Sequence, residues 1–329
     1  MSHWIDLASR RVGGAALLAN DEFFAPKENL VAPGRGVFRE GEYTDRGKWM
    51  DGWETRRRRD TGYDWCIVRL GVRGVIREIV VDTNHFHGNH PDSCSVDACD
   101  APDGTQPDEL SHWTEIVPRA PLAGHSENRF RVESDAPCSY VRLNIFPDGG
   151  VARLRVLGEA RPRWDDLLHH YDEIDLASVV YGALPIGCSD QFFSEPLNLL
   201  MPGRSDSMGD GWETRRRRGP GFDWVVLRLA CRGRVERILV DTNHFKGNFP
   251  ESCRVLGWDE ASNGAAPLDV KGPWIEVLPR RPLRAHDLHT FASDLAILPP
   301  LTHLRLEIFP DGGVSRFRAF GRPDDGSLA

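Results

Sequence analysis

Tyr140-Val141-Arg142-Leu143-Asn144-Ile145-Phe146 alternates, with Val141, Leu143 and Ile145 on one face and Arg142 and Asn144 on the other. A period of two marks a β-strand with one buried face. Pro147-Asp148-Gly149-Gly150 follows as turn chemistry, because glycine accepts positive φ, and Val151-Ala152-Arg153-Leu154-Arg155-Val156 alternates again. The pattern predicts a hairpin, and it returns at Leu304 to Phe320.

Working outward, Asp64 to Gly71 and Val75 to Asp82 read as two further strands joined by a short glycine-containing turn, with partners at Asp223 to Ala230 and Val235 to Asp241. Stretches with helical spacing are scarce. Many short strands punctuated by glycine and proline predict an all-β chain, a β-sandwich in each half closed in jelly-roll fashion.

The halves are copies of one module. Asp51-Gly52-Trp53-Glu54-Thr55-Arg56-Arg57-Arg58-Arg59 recurs unchanged as Asp210 to Arg218, and Val81-Asp82-Thr83-Asn84-His85-Phe86 recurs as Val240 to Phe245. Asp21-Glu22-Phe23-Phe24 answers to Asp190-Gln191-Phe192-Phe193, and Pro33-Gly34-Arg35 to Pro202-Gly203-Arg204. A repeat of about 160 residues is too long for a solenoid unit and can close its own core. Two tandem domains are expected, residues 1–160 and 178–329, with 161–177 as connector, its stretch Arg161 to His170 carrying a short helix.

A net charge of −8 offers no general attraction for a polyanion, so nucleic acid is not the expected partner despite the arginine runs. No apolar run is long enough to cross a bilayer, and the amino terminus has no basic leader, so a soluble cytoplasmic protein is expected. Seven cysteines without a CxxC pair predict reduced, structural thiols.

Two constellations carry chemistry. In an extended Trp53 to Arg59, Glu54, Arg56 and Arg58 share a face opposite Trp53, Thr55, Arg57 and Arg59. A solvated charged edge is the plain explanation of such a run. Its unchanged return beside Trp and Glu argues instead for an anion clamp, since the arginine fork matches a carboxylate bidentately. The second constellation, Asp82-Thr83-Asn84-His85-Phe86 with Gly88-Asn89, lies where an apolar strand runs out into a loop, a common place for functional groups. Turn capping by Asp and Asn and a structural His are the competing explanations. Asp148 and Asp311 are weaker candidates, and Trp65 and Trp224 look like core anchors. Asp82, His85 and Glu54 form a conceivable metal set, without HxH or HExxH spacing to support it.

The strings Asp21 to Leu30, Gly41 to Arg57 and Asp82 to Asn89 together resemble the allantoicase family, and the resemblance spans both halves. It implies a pair of galactose-binding-like jelly rolls, a homo-oligomer, and hydrolysis of allantoate to ureidoglycolate and urea. The copies are not symmetric: the stretch Gly41 to Met50 is present only in the first, and His87 and His90 become Lys246 and Phe249.

Allantoate carries one carboxylate and two ureido groups on a central carbon. A site for it needs an anion clamp, partners for the ureido groups and a proton for the departing nitrogen. Arg56 or Arg57 suits the clamp, Asn84 or Asn89 a ureido group, with Trp53 alongside; His85 is the natural proton donor, and Glu54 or Asp82 would orient it or activate water. The second-copy equivalents are Trp212, Glu213, Arg215, Arg216, Asp241, Asn243, His244 and Asn248. The cofactor question stays open between none and a divalent ion such as Mn²⁺. The rival functions are a non-catalytic module binding a small anion or sugar, and a purely structural duplication.

Overall fold

The computed structural model describes residues 4–268 and 272–324. The chain divides between Pro162 and Arg163 into two units of the same topology. In the first unit the strands are β1 (Ile5–Asp6), β2 (Ala15–Ala19), β3 (Tyr43–Thr44), β4 (Gly47–Lys48), β5 (Trp53–Glu54), β6 (Asp64–Asp82), β7 (Ser93–Cys99), β8 (Thr114–Pro121), β9 (Glu127–Arg131), β10 (Pro137–Phe146), β11 (Gly150–Val151) and β12 (Arg153–Ala160).

The long strand β6 organises the unit. Its first half, through Arg69, pairs with β10 on one side and β2 on the other; its second half, from Gly74, pairs with β12 and β9. One ladder therefore runs β2-β6-β10-β7-β8 and the other β9-β6-β12-β1, the two layers of a jelly-roll sandwich. The expected turn between Gly71 and Val75 does not form. The chain stays extended there, and the glycines serve close approach instead: a Cβ on Gly71 would lie 2.4 Å from the backbone of Val12 and Gly14.

The predicted hairpin is also absent. Both arms are strands, but β10 pairs with β6 and β7, and β12 with β6 and β1. Pro147 to Gly149 is a crossover between layers, entered through a cis Phe146–Pro147 peptide, and β11 leaves it to pair with β5. Alternation specifies a strand and its buried face, not its neighbour. Val141, Leu143 and Ile145 are fully buried as expected, each worth about 1.5–3 kcal/mol of burial. The opposite face of β10 is partly covered: Asn144 Nδ2 and Arg142 Nη2 both donate to Asp97 Oδ2 at 2.9 Å.

Helix α1 (Trp164–His170) opens the second unit, followed by β13 (Ile174–Asp175), β14 (Leu184–Cys188), β15 (Trp212–Glu213), β16 (Asp223–Asp241), β17 (Ser252–Trp258), β18 (Ile275–Pro282), β19 (Leu288–Phe291), β20 (Leu301–Phe309), β21 (Gly313–Val314) and β22 (Arg316–Pro323). Residues 174 and 175, which the sequence assigns to the connector, pair with β22 as β1 pairs with β12. A two-residue strand is too short to show a period. All seven cysteines are free, and burial raises the Cys94 and Cys253 thiols to about 12. No helix among the described residues is long and apolar enough to cross a membrane.

Candidate functional site

Trp53 is fully buried, and its indole N–H donates to the Asp21 carbonyl at 2.8 Å; Trp212 repeats this with Asp190 at 2.9 Å. Neither ring offers surface to a ligand, so both anchor the core. Thr55 is buried likewise, and Glu54 faces the other way. Beyond Thr55 the strand has ended and the expected alternation stops. Asp21 accepts the Arg56 backbone N–H at 3.0 Å and its guanidinium at 2.6 Å. Burial opposes ionisation of Asp21, but these donors and the Phe23 N–H outweigh it and hold its pKa below the usual carboxylate value.

Arg58 pairs with the buried Asp64, and Asp148 accepts the Arg58 N–H at 2.9 Å, as Asp311 accepts that of Arg217 at 2.7 Å. Asp148 and Asp311 thus hold the arginine segment in place. Arg57 is exposed and has no ion pair or hydrogen bond among the described residues. It lies in a cleft of about 640 Å³ lined by Asn20, Asp21, the four arginines, Asp60 and Asp64.

Where β6 ends, Asp82 and Asn84 turn inward. Asp82 Oδ1 accepts the Asn84 N–H at 2.9 Å, Arg35 Nε lies 3.4 Å from Oδ2, and Asn84 Nδ2 donates to the Gly36 carbonyl at 2.9 Å. Both are buried and bound to the loop, as turn-capping residues are. Phe86 is buried against Gly150, whose Cβ would fall 2.0 Å from its ring, and Gly52. His85 is left projecting, partly exposed, at φ 69°.

Every non-glycine residue with positive φ among the described residues is a histidine, and four of the five are His85, His125, His244 and His286. Backbone held in this region in both copies marks a local constraint of the kind found at functional sites. His125 Nδ1 accepts the His85 backbone N–H at 2.9 Å, and His286 Nδ1 that of His244 at 2.8 Å. The proton of each neutral accepting ring is thereby placed on Nε2. Neither Glu54 nor Asp82 bonds the His85 imidazole. Glu54 Oε1 instead accepts Asn89 Nδ2 at 2.7 Å, and burial raises the Glu54 pKa, with the Asn89 bond opposing. Among the described residues no three His, Cys, Asp or Glu side chains cluster closely enough to hold a metal ion, and Asp82, His85 and Glu54 do not come together as one group.

The second copy keeps most of this. Asn248 Nδ2 donates to Glu213 Oε1 at 2.6 Å, Arg215 Nε to Asp190 at 3.0 Å, and Arg204 Nε to Asp241 at 3.1 Å; Asn243 is buried and Arg216 is without a partner among the described residues. The sequence reasoning passed over His125 and His286. The signal was there as Pro121-Leu122-Ala123-Gly124-His125 against Pro282-Leu283-Arg284-Ala285-His286. It also passed over Asp21 and Arg35, although both sit in quoted repeat strings.

The Allantoicase repeat model matches residues 5–161 and again 174–324. A probable allantoicase of Pseudomonas aeruginosa (strain UCBPP-PA14) is 45% identical over 322 residues, covering 98% of this chain and 96% of that one. Probable allantoicase 2 of Burkholderia pseudomallei (strain K96243) is 46% identical over 319 residues, 97% and 94% of the two chains. The crystal structure of allantoicase from Saccharomyces cerevisiae superposes with a TM-score of 0.80 at 33% identity, covering 97% of this chain and 93% of that one. Two tandem copies of one jelly-roll module, matched over nearly their whole length in sequence and in structure, place this chain in the allantoicase family.

Proposed function

We propose that this protein hydrolyses allantoate to ureidoglycolate and urea, with Arg57, Glu54, Asn89 and His85 of the first copy as the working groups. The observation that carries the site assignment is the contrast within the arginine run: Arg56 and Arg58 are paired, whereas Arg57, lying between them, is exposed and unpartnered among the described residues, as is Arg59 at the end of the run. A free guanidinium is what a carboxylate clamp requires. Asn89 gives its N–H to Glu54 and keeps its carbonyl oxygen for a ureido N–H. Glu54, with its pKa raised by burial, suits a general base toward water, and His85 supplies the proton to the departing urea nitrogen. The sum is one water added and one C–N bond broken, with hydroxyl going to the central carbon and a proton to the leaving nitrogen.

The protein is proposed to act in the cytoplasm, which its unpaired cysteines suit, and as a homo-oligomer, a state that light scattering after gel filtration measures. The functional test is to incubate chelator-treated protein with allantoate, with and without Mn²⁺, and assay urea, ammonia and ureidoglycolate separately. Urea with ureidoglycolate is the expected result. Ammonia in place of urea, or binding with no product in either condition, would overturn the reading.

A further inference from the structure

The two copies differ at the imidazole. His244 Nε2 lies 2.9 Å from the carbonyl of the buried Ser205 and, facing a carbonyl, must donate to it. The other ring nitrogen of a neutral His244 is then an acceptor, so neither nitrogen has a proton to give without leaving Ser205. In the first copy Gly36 occupies the Ser205 position, and its carbonyl accepts Asn84 as that of Ser205 accepts Asn243, but it takes no second bond from the imidazole. The His85 ring nitrogens have no hydrogen bond among the described residues, and the nearest ring facing them from the loop is Phe38, at 5.5 Å.

A second difference surrounds the first. From Gly36 to Met50 the first copy carries the β3–β4 hairpin, whereas the second passes from Ser205 to Gly209 through one short turn. The inserted hairpin spans both parts of the site. Lys48 Nζ lies 4.4 Å over the Phe38 ring beside His85, and Arg46 donates to the Phe23 carbonyl at 3.1 Å, where the Arg56 guanidinium also rests 5.3 Å over the Phe23 ring. It shields Phe23 and Phe24, 38% and 37% exposed, against 60% for both Phe192 and Phe193. In the second copy Met208 reaches Asn248 instead, its Sδ 3.8 Å from Nδ2. What the second copy retains is Arg216, unpartnered among the described residues, and the Glu213–Asn248 pair; what it lacks is an imidazole with a free proton to give.

We infer that the copies have divided the work: the first turns substrate over, and the second is a binding site for the same ureido-carboxylate anion, which it holds without reacting. This rests on the allantoate reading above, and the following test separates the two. His85→Asn is made because asparagine tolerates the positive φ of that position, and its thermal midpoint is compared with the parent. Urea release and calorimetric titration with allantoate are then measured on the full chain. The variant is expected to keep less than about 1% of the parent rate, the scale of a lost general acid, yet to bind two allantoates per chain, falling to one when Arg216→Ala is added. Two equal catalytic copies would leave about half the rate and overturn the inference, as would a single binding site per chain. If His85→Asn lowers the midpoint, Arg57→Ala asks the same question: a fall in kcat/KM of tenfold or more supports the inference, and a fall by half overturns it. A parent protein releasing no urea would instead sink the allantoate reading itself.

Discussion

His125 Nδ1 accepts the backbone N–H of His85 at 2.9 Å, so one imidazole fixes the left-handed backbone from which the other projects. The contact is side chain to main chain and sets where the His85 ring points, not its charge. His125→Ala is expected to lower kcat by about tenfold to a hundredfold, the scale of a misplaced catalytic group, with KM little changed. His125→Asn, whose side-chain oxygen can accept the same N–H, should recover most of that loss. Steady-state urea release checks both.

Arg57 is expected to bind through its fork. Arg57→Lys keeps the charge and loses the bidentate geometry, so KM for allantoate should rise about tenfold or more, in line with about 1.5–3 kcal/mol for a charge-assisted bond. An unchanged KM would count against the clamp.

Glu54 gives a pH prediction. Burial raises its pKa in the folded protein, so its contribution to stability is present below the unfolded carboxylate value of 4.5 and is lost as pH rises through the raised folded value. Glu54→Gln removes that penalty. The variant should melt higher than the parent at pH 8 and lose that advantage near pH 4, while turning over far less substrate. Thermal scans at the two pH values, beside urea assays, check the pair of effects.

Glu307 on β20 is fully buried and accepts from Arg305 and Arg254, each at 2.6 Å. Asn144 holds the matching place in the first unit, where Asp97 serves Arg142 instead. Glu307→Ala strands buried positive charge and should cost about 3–5 kcal/mol, read from urea unfolding followed at the second unit's tryptophans.

The sequence showed which candidate residues recur because the repeat is written in it: Glu54, Asn89 and His85 return as Glu213, Asn248 and His244. It was less informative about which face the loop. Asp82 and Asn84 alternate like strand residues, but β6 stops at Asp82 and the carboxylate turns back to cap the following N–H. Trp53, expected beside the substrate, is placed in the core instead, since a recurrent tryptophan suits both a ligand platform and a core, and its burial with the bond to the Asp21 carbonyl separates them.

By itself the sequence determined the duplication, the all-β class and the buried face of β10, because these follow from identity at a fixed spacing and from a period of two. Tertiary structure alone decided that β10 and β12 flank β6 rather than each other, and that Arg57 is free while Arg56 and Arg58 are paired. It also decided that His125 holds His85. Each of these depends on which distant backbone or carboxylate arrives at a residue, and long-range pairing leaves no local period to read.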